Sequence, residues 1–495
     1  MTNIIAIRGF LTRSDVWIPI VLVAIGAVFL SYQITRPFTD YDEAIYANVI
    51  VDTMRSADIS TLSVYGHHFF EKPPLYFWLA IASVEVFGQQ EWPFRLPGIL
   101  ASLVCLSMVY LLVFEFTKNR HAAIFAFLLL LFSPPFYFLA REVRLDSGVL
   151  AAILTVLFVC IKGWKKEKNL FWIFPLIAIG FLIKSFIVLL TGPILLIYSF
   201  AYNEWRWLQS RYLWIGSVAS IVIVAPWHIL QSIRFGSSFW NTYIFGTLTY
   251  TTSTTTGSSD TAFYIKELLS SAPGWFWTYM VIVAVGILWS IIKATRLDPS
   301  WKEIVAPLVT ALVILTFFSF AKTHLNSYDL PIFPFLAMFV AILFHQSLST
   351  VKYKYLIVIA VGLFATGIYY MYSPAFTSTT YQYDEMQVGL AYKANQSSIS
   401  GPLYSFDWWR LDTMNYYGDT YANYIDPNNP TLKVLKAPFY FMTSVSDEKR
   451  IFYDANGTPN KAFSNLPVGY QGKYLFLVYF NKDVDIHSLL QYAPQ

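Results

Sequence analysis

The sequence has little charge. Only 13% of its 495 residues are Asp, Glu, Lys or Arg, whereas 56% are hydrophobic and 19% are aromatic. A soluble domain carries about 25% charged residues, so this chain could not cover a folded surface in water. The mean hydropathy of +0.49 agrees with this. The composition therefore excludes a soluble cytosolic enzyme and a disordered scaffold, and it predicts a polytopic membrane protein.

Other features are scarce as well. Cys105 and Cys160 are the two cysteines, and both lie in apolar runs, which excludes a disulfide framework and a zinc knuckle. No glycine-rich nucleotide-binding loop is evident, so we expect no nucleotide cofactor. The net charge of +4 is small and gives no indication of a nucleic-acid partner. No internal repeat and no matching pair of broken helices is found, which disfavours a secondary transporter.

Apolar runs predict about eleven membrane spans, because a bilayer core requires roughly twenty apolar residues for each helix. The runs lie at residues 16–34, 94–114, 121–140, 147–161, 170–184, 186–202, 212–229, 274–292, 304–320, 330–346 and 355–372. The stretch 170–202 is divided at Lys184 and Ser185, where glycines and a proline also interrupt it. With this division, the basic residues fall into a regular pattern.

Lys and Arg are concentrated in alternate connections. If the N-terminus with Arg8 and Arg13 is cytoplasmic, every connection on that side is short and basic, as the positive-inside rule requires. The long segments 35–93 and 230–273 then lie outside. After residue 375 the chain turns to Asp, Asn, Gly and Pro turns with short β-rich runs. We therefore predict a membrane domain at 1–375 and a soluble extracytoplasmic α/β domain at 376–495.

The outer loop 35–93 contains the densest chemistry. It opens with Asp40, Asp42 and Glu43 at the exit of the first span. Asp40 and Glu43 have the spacing of a capping box, which explains these two acids well and Asp42 less well. The amphipathic stretch 45–54 that follows is expected to lie flat on the membrane surface.

The same loop continues with Glu71-Lys72-Pro73-Pro74 ahead of an apolar segment. The prolines predict a rigid entry into the next helix, which would hold Glu71 and Lys72 at the boundary of water and lipid. Two interpretations stay open. The pair is either a surface ion pair with a snorkelling lysine, or Lys72 binds a phosphate at headgroup depth.

Other polar residues fall on the same predicted face. They are Arg141, Glu142, Arg144 and Asp146 after the third span, Lys322, His324 and Tyr328 after the ninth, and His228 at the end of the seventh. Charged groups at this depth are costly unless they are paired or wetted. They could neutralise one another, and a lone interfacial histidine is more often structural than a ligand. Their convergence beside lipid nevertheless favours a reaction on a lipid phosphate over transport.

These motifs resemble those of a known family. The sequence is similar to the bacterial polytopic glycosyltransferases that include the aminoarabinose transferase acting on lipid A and, more distantly, to the protein O-mannosyltransferases. The resemblance rests on Asp42-Glu43-Ala44, Tyr46-Ala47, Glu71-Lys72-Pro73-Pro74-Leu75, Trp78, Arg95-Leu96-Pro97, Arg144-Leu145-Asp146, and Tyr328 with Leu330-Pro331 and Pro334. It covers roughly residues 15–345 and implies a GT-C fold with about 11–13 transmembrane helices in the bacterial inner membrane.

The resemblance also implies roles for individual residues. The donor would be a sugar on a polyprenyl phosphate, Asp42 the catalytic carboxylate, Lys72 a phosphate-binding lysine and Glu71 a contact of a divalent metal. The family's Glu-His…Arg element is missing where this chain has residues 246–250. The metal therefore stays open, with His228 or His324 as substitute ligands.

Elementary chemistry agrees with these roles. Asp42 is suited to be the base that takes the acceptor's proton, and Asp146 would orient the acceptor or Asp42. Lys72, with Arg141 or Arg144, would stabilise the departing phosphate. Tyr328 is assigned to the same phosphate site, and Glu43 and Lys322 to supporting positions. The expected acceptor is an envelope glycolipid or polysaccharide of the lipid A type. The alternatives are a protein acceptor, or a lipid or solute transporter without chemistry.

Overall fold

The architecture comes from a computed structural model. The structure describes residues 14–38, 41–246, 262–270, 275–295, 301–321, 324–325, 327–347, 362, 380–397, 400–406, 410–426, 433–444, 468–471, 475–486 and 489. The chain divides into two compact units. The helical unit comprises residues 1–34, 59–62 and 69–370, and the α/β unit comprises residues 35–58, 63–68 and 371–495.

Helices dominate the described residues. In chain order they are α1 Ser14–Leu30, α2 Tyr41–Arg55, α3 Leu75–Phe87, α4 Glu91–Thr117, α5 Arg120–Leu131, α6 Pro134–Leu139, α7 Asp146–Lys165, α8 Ile173–Lys184, α9 Thr191–Tyr202, α10 Arg211–Phe235, α11 Ser237–Trp240, α12 Phe263–Ser270, α13 Trp275–Thr295, α14 Trp301–Ser319, α15 Ile332–Ser347, α16 Thr380–Asn395 and α17 Leu411–Gly418. Short 3₁₀ segments at Glu167–Trp172, Ser185–Leu190 and Arg206–Gln209 and a π turn at Asn241–Gly246 connect some of them.

Several of these helices are long and apolar enough to cross a membrane. By length and composition, the described residues contain five such stretches, namely Glu91–Thr117, Asp146–Lys165, Glu167–Tyr202, Arg211–Phe235 and Trp301–Ser319. Shorter apolar helices accompany them, among them α3. The chain is an integral membrane protein, as its composition predicts. The predicted span 355–372 lies outside the described residues except for residue 362.

Helix α3 is not one of the eleven predicted membrane spans. It has 13 residues, about 20 Å at 1.5 Å per residue, and is therefore too short to be found as a bilayer span. It begins directly after Pro73 and Pro74, so the predicted rigid entry into a helix is confirmed. The Trp78 indole N–H donates to the Ile59 carbonyl over 2.6 Å, which ties α3 to an earlier part of the loop.

The stretch 167–202 reverses direction at Ser185. Lys184, the last residue of α8, pairs with Asp146, the first residue of α7, with 2.5 Å between Nζ and Oδ1. The chain then returns, because the rings of Tyr202 and Trp164 lie 5.4 Å apart at the other end of α7. Ser185 has a left-handed φ of 48°, which suits a sharp turn. The stretch makes two passes, so the predicted division at Lys184 and Ser185 is confirmed.

The helical unit therefore has two distinguishable ends. At one of them, here called the Glu115 end, the Glu115 carboxylate accepts hydrogen bonds from Lys162 and Lys165 at 2.6 and 2.8 Å. The opposite end is called the Asp146 end. Arg95 at the start of α4 lies there, and its guanidinium donates to the Ile34 carbonyl over 2.5 Å. Short basic turns thus cluster at the Glu115 end, while Asp146, Lys184 and Arg95 lie at the Asp146 end.

The α/β unit contains a five-stranded mixed sheet. Its strands are β3 Leu403–Ser405, β4 Asn423–Tyr424, β6 Phe439–Ser444, β7 Val468–Gln471 and β8 Leu475–Phe480, in the order β4-β3-β6-β8-β7. Strand β3 is parallel to β4 and β6, and β8 is antiparallel to β6 and β7. Smaller two-stranded sheets pair β1 Ser63–Val64 with β2 His67–His68, and β5 Val434–Leu435 with β9 Val484–Asp485. The expectation of an α/β fold is confirmed.

Part of the first loop belongs to the α/β unit. Helix α2 packs against α17, and the β1–β2 hairpin follows it. Ala47 and Ile50 are completely buried, and Val51 is almost so. The expectation that residues 45–54 lie flat on the membrane is therefore wrong, because protein covers the apolar face that was assigned to lipid. The predicted domains at 1–375 and 376–495 also placed this part of the loop with the membrane helices.

Candidate functional site

An ion pair marks the Asp146 end of the helical unit. Asp146 opens α7 and Lys184 closes α8, so each charge suits the dipole of its own helix. The side chains are only 12% and 13% exposed. The Lys184 ammonium also lies 5.6 Å from the ring centroid of Tyr328. The predicted site residues Asp146 and Tyr328 are thus brought together by Lys184, which the sequence analysis used only to mark a break.

The two predicted arginines are held by different partners. Arg144 Nε donates to Glu142 Oε2 over 2.7 Å, and the charge of Asp146 also acts on this buried guanidinium. Arg141 donates to the Tyr32 carbonyl and lies 4.6 Å from the ring centroid of Tyr137. The charged side chains after the third span thus neutralise one another in part. This is one of the possibilities that the sequence left open for them.

A glycine brings this turn close to α4. A Cβ at Gly98 would lie 3.1 Å from the Glu142 carbonyl oxygen, so a larger residue would push the turn away from the helix. Gly98 follows Arg95-Leu96-Pro97, one of the motifs that carry the resemblance. The glycine directly after the motif therefore has a packing role here.

Lys72 is anchored through its neighbours. Phe70 packs against Phe239 at a centroid distance of 5.5 Å, in a cluster with Trp227 and Tyr243 at the end of α10. Pro73 and Pro74 are buried, Lys72 is half-buried and Glu71 is exposed. The backbone on both sides of Lys72 is therefore fixed, and its side chain retains access to solvent or lipid.

The histidines occupy packed positions. His228 Nδ1 lies 2.9 Å from the Val224 carbonyl, which can only accept, so this nitrogen carries the proton. Nε2 lies 3.2 Å from the Tyr243 hydroxyl, which itself accepts from Ser185 at 3.3 Å. His324 is buried and stacks on Phe263 at 5.4 Å. Both histidines therefore lie in packed surroundings that suit a structural role.

The divalent metal that the resemblance leaves open remains a prediction. Within the described ranges, no three His, Cys, Asp or Glu side chains form a group that could hold an ion. The Nε2 lone pair of His228, which a metal would need, faces Tyr243. Glu71 and the histidines remain predictions as ligands, and no step below uses a metal. Lys322 lies outside the described residues.

The α/β unit contains a second cluster of polar side chains, which lies around α2. Asp42 and Glu43 lie in its first turn, with Asp42 half-buried and Glu43 completely buried. Asp40 of the predicted capping box lies outside the described residues. One and a half turns further along, Asn48 donates to the Asp412 carbonyl at 2.9 Å and to the Tyr65 hydroxyl at 3.0 Å. Tyr65 in turn donates to the Asp412 carboxylate.

The electrostatics of Asp412 are unusual. Burial raises the pKa of this carboxyl to about 6, against the opposing hydrogen bond from Tyr65, and the charge of Asp42 raises it further. Burial also raises the pKa of Asp52 at the other end of α2. Asp412 therefore titrates close to physiological pH in the presence of the Asp42 charge, and perturbed acids of this kind are enriched at functional sites.

Sequence reasoning missed Asp412 and Tyr65. Asp412 lies in Arg410-Leu411-Asp412-Thr413, which reads as an ordinary surface segment of an α/β domain. Tyr65-Gly66 reads as a turn. The only signal was the turn itself, and no pattern connects residue 65 with residue 412.

The sequence is similar to those of known glycosyltransferases. The family profile described as Dolichyl-phosphate-mannose-protein mannosyltransferase matches residues 71–230. The undecaprenyl phosphate-alpha-4-amino-4-deoxy-L-arabinose arabinosyl transferase of Pseudomonas aeruginosa strain UCBPP-PA14 is 22% identical over 65% of this chain and 58% of its own length. The enzyme of the same name from Aeromonas hydrophila is 26% identical over 62% and 56%. The chain thus matches less than two thirds of these relatives' length.

Solved structures decide the fold. ArnT from Cupriavidus metallidurans bound to undecaprenyl phosphate superposes with a TM-score of 0.70 at 18% identity, covering 94% of this chain and 98% of that one. The chain has the GT-C fold. The archaeal oligosaccharyltransferase AglB from Archaeoglobus fulgidus is more distant, with a TM-score of 0.53 at 12% identity over 94% and 74% of the two chains. The predicted GT-C fold is confirmed, and so is the resemblance to the aminoarabinose transferases that the sequence motifs indicate.

Proposed function

We propose that the chain is an inverting glycosyltransferase that moves a sugar from a polyprenyl-phosphate donor to an acceptor outside the cytoplasm. The observation that carries the proposal is the likeness over 94% of the chain to an ArnT structure that holds undecaprenyl phosphate. The curated relatives are arabinosyl transferases named for a donor on the same lipid phosphate. The donor's polyprenyl chain would lie in lipid beside the Asp146 end.

The proposed orientation places the Asp146 end outside the cytoplasm. Lys118, Lys162 and Lys165 lie at the Glu115 end, each paired with the Glu115 carboxylate. Arg206 follows α9, whose last residue packs near Trp164 at that end. Basic residues in short connections favour the cytoplasmic side. In this orientation the N-terminus is cytoplasmic and the α/β unit is extracytoplasmic.

The donor phosphate is assigned to Lys72. Its backbone is fixed by the buried Phe70, Pro73 and Pro74, while its side chain is only half-buried. Lysine is a compact point charge that suits a phosphate. Arg144 is the second cation of the proposal, and its bond to Glu142 would have to be shared with the phosphate. Arg141 is assigned a weaker part, because it already donates to the Tyr32 carbonyl.

The chemistry is a single displacement at the anomeric carbon. The acceptor oxygen forms a bond to this carbon while the bond from the carbon to the phosphate oxygen breaks. The electron pair leaves with the polyprenyl phosphate, whose negative charge Lys72 stabilises. The hydroxyl proton of the acceptor passes to the carboxylate of Asp42. Attack opposite the leaving group inverts the configuration at the anomeric carbon, as it does in inverting glycoside hydrolases.

The acceptor is proposed to be an envelope glycolipid or polysaccharide of the lipid A type. The names of the arabinosyl transferases support a sugar transfer of this kind. A protein acceptor is the second candidate, because the family profile that matches residues 71–230 is described as a protein mannosyltransferase. In either case the transferred sugar is extracytoplasmic.

One experiment separates these possibilities. Envelope glycolipids, polysaccharides and glycoproteins from cells with and without the gene would be compared by mass spectrometry. A sugar lost from one glycolipid or polysaccharide class in the deletion strain and restored by the wild-type gene supports the proposal. Loss confined to glycoproteins supports the second candidate. Unchanged sugar content in all three fractions would contradict a transferase and favour a transporter.

A further inference from the structure

A group of buried polar side chains connects α2 with the C-terminal part of the α/β unit. It is called the Asp412 clamp here and consists of Asn48, Tyr65 and Asp412. The Asn48 amide donates to the Asp412 carbonyl, the Tyr65 hydroxyl and the Ala44 carbonyl at 2.9, 3.0 and 3.1 Å. Asn48 and Asp412 are 7% and 6% exposed. An amide buried in this way is costly without partners, so the clamp specifies one position of α2 on α17.

Tyr65 is held from two sides at a strained position. It lies at the tip of the β1–β2 hairpin with φ of 53°, followed by Gly66 with φ of 77°. A two-residue turn of this hand needs positive φ at both positions, which glycine adopts easily and tyrosine does not. The Tyr65 amide donates to Asp52 Oδ2 over 2.7 Å, and its hydroxyl donates to Asp412. Such strain persists only where the surroundings fix the residue.

The clamp reaches the turn of α2 that carries Asp42. The Ala44 carbonyl, which accepts from Asn48, lies two residues after Asp42 in the same helix. The charge of Asp42 also acts directly on Asp412. Other buried ionisable side chains lie on the elements packed here: Glu43 beside Asp42, Arg410 directly before α17, and Asp384 and Glu385 on α16, which packs against α17. A further group lies toward the end of α2. There Asp52 contacts Arg55 and Tyr421, and Arg55 pairs with Asp419 at 2.6 Å.

We propose that Asp412 is a positioning residue for Asp42, an inference that rests on the proposed function. Through Asn48 and Tyr65 it fixes the helix that carries Asp42. When ionised, its carboxylate places a second negative charge beside Asp42, and this charge favours transfer of the acceptor's proton to Asp42. Asp412 does not touch the substrate. The C-terminal part of the chain thus takes part in the transfer step by holding and tuning the base.

The sign of the pH effect follows from the shift of Asp412. Its pKa of about 6 means that the extra negative charge is present above this pH and is lost as pH falls through it. The wild-type turnover number should therefore show a component that declines near pH 6. This component should be missing in Asp412→Asn, which keeps an oxygen for Tyr65 but carries no charge. Above pH 7, kcat of Asp412→Asn should fall roughly fivefold, a fraction of what a general base contributes, with KM unchanged.

The test uses the full chain in lipid nanodiscs with undecaprenyl phosphate-4-amino-4-deoxy-L-arabinose as donor and lipopolysaccharide as acceptor. Rates of wild type, Asp412→Asn, Asp412→Glu and Asp412→Ala are measured from pH 5 to 8. Hydrogen–deuterium exchange of residues 41–55 is followed in the same samples without substrate. Asp419→Asn is the matched control, because Asp419 follows the same helix α17 and contacts α2 through the exposed Arg55.

Two results support the proposal. The pH profile of Asp412→Asn lacks the decline near pH 6, while Asp412→Glu retains it and so does the Asp419→Asn control. Exchange of residues 41–55 is at least several-fold faster in Asp412→Ala than in Asp419→Asn. A pH profile of Asp412→Asn that coincides with the wild-type profile overturns the proposal, whatever the exchange shows.

The proposed function can fail separately. If the wild-type chain transfers no sugar from this donor to lipopolysaccharide, the assignment of donor and acceptor fails, and the exchange measurement alone decides the clamp. Faster exchange of residues 41–55 in Asp412→Ala then supports Asp412 as the residue that positions α2. Unchanged exchange overturns it.

Discussion

The Tyr65 hydroxyl donates a hydrogen bond to the carboxylate of Asp412, which lies 347 positions further along the chain. Part of the first loop after α1 and the C-terminal α/β segment thus belong to one compact unit. Helix α2, with Asp42 in its first turn, belongs to that unit. The polar residues around Asp146 and Lys184 belong to the helical unit instead. The residues assigned to the base and to the donor phosphate therefore belong to different units.

Asp412 should make stability depend on pH in an identifiable direction. Its folded-state pKa of about 6 lies above the usual value, so its protonated form favours the folded chain. This contribution is fully present below the unfolded pKa and is lost as pH rises through about 6. Relative to Asp412→Asn, the wild-type chain should gain about 1.4 kcal/mol in free energy of unfolding between pH 7.5 and 5. Thermal unfolding of the purified proteins at both pH values measures it.

Asp419 provides the control with the opposite sign. Burial tends to raise the pKa of this carboxyl, but the hydrogen bond and charge of Arg55 outweigh burial and lower it. Its contribution is present above the unfolded pKa and is lost as pH falls through the folded one. Asp419→Asn should therefore differ from wild type more at pH 7.5 than at acidic pH. An identical pH dependence in wild type and Asp412→Asn would contradict the assignment of the shifted carboxyl.

Lys72→Ala should weaken donor binding by about tenfold, the worth of a charge-assisted contact to phosphate. Lys72→Arg should weaken it less, because arginine keeps the charge with a different shape. Binding of undecaprenyl phosphate to the purified protein is the measurement. Lys118→Ala, which removes a cation at the Glu115 end, is the control and should leave binding unchanged. Equal affinities of Lys72→Ala and wild type would return Lys72 to a snorkelling role.

The ion pair of Asp146 and Lys184 should behave as a buried pair. Its side chains are 12% and 13% exposed, so Lys184→Met leaves a carboxylate in a poorly solvated place. We expect a loss of about 3 kcal/mol in stability from the single change. The double variant Asp146→Asn with Lys184→Met should recover most of it, because neither charge is left uncompensated. A double variant as unstable as the sum of the two single ones would show that the pair is not coupled.

The sequence predicted the arrangement of the helices well. Hydropathy and the basic turns divided residues 170–202 at Lys184 and Ser185, where the structure reverses, because membrane spans must be apolar and inner connections basic. Asp146 and Tyr328 were singled out from their place in the chain, and the structure brings both to Lys184. Patterns along the sequence suffice where the constraint is the bilayer.

Contacts of long sequence separation could not be predicted. The face of α2 that was assigned to lipid is covered by protein, because an amphipathic pattern does not say which apolar partner it meets. Asp412 carries no local motif, and its raised pKa depends on burial and on Asp42, which lies far away along the chain. The packed surroundings of His228, against the Val224 carbonyl and the Tyr243 hydroxyl, could not be predicted either.

The orientation of the α/β unit can be tested with single cysteines. In a variant without the buried Cys105 and Cys160, the exposed Lys482 and Lys168 are each replaced by cysteine. An impermeant thiol reagent added to intact cells should label Lys482→Cys and leave Lys168→Cys unlabelled until the membrane is permeabilised. Labelling of Lys168→Cys alone in intact cells would invert the proposed orientation and place Asp42 on the cytoplasmic side.

The central claim is that Asp42 takes the acceptor's proton during sugar transfer, and Asp42→Asn tests it most directly. The change keeps the size of a side chain that is only half-buried, so membrane insertion and thermal stability should stay near those of wild type. The rate of transfer from undecaprenyl phosphate-4-amino-4-deoxy-L-arabinose to lipopolysaccharide is measured for both proteins under saturating donor. The account predicts a loss of about 10²–10⁴-fold, the usual contribution of a general base. A folded Asp42→Asn protein that transfers sugar at the wild-type rate would contradict the account.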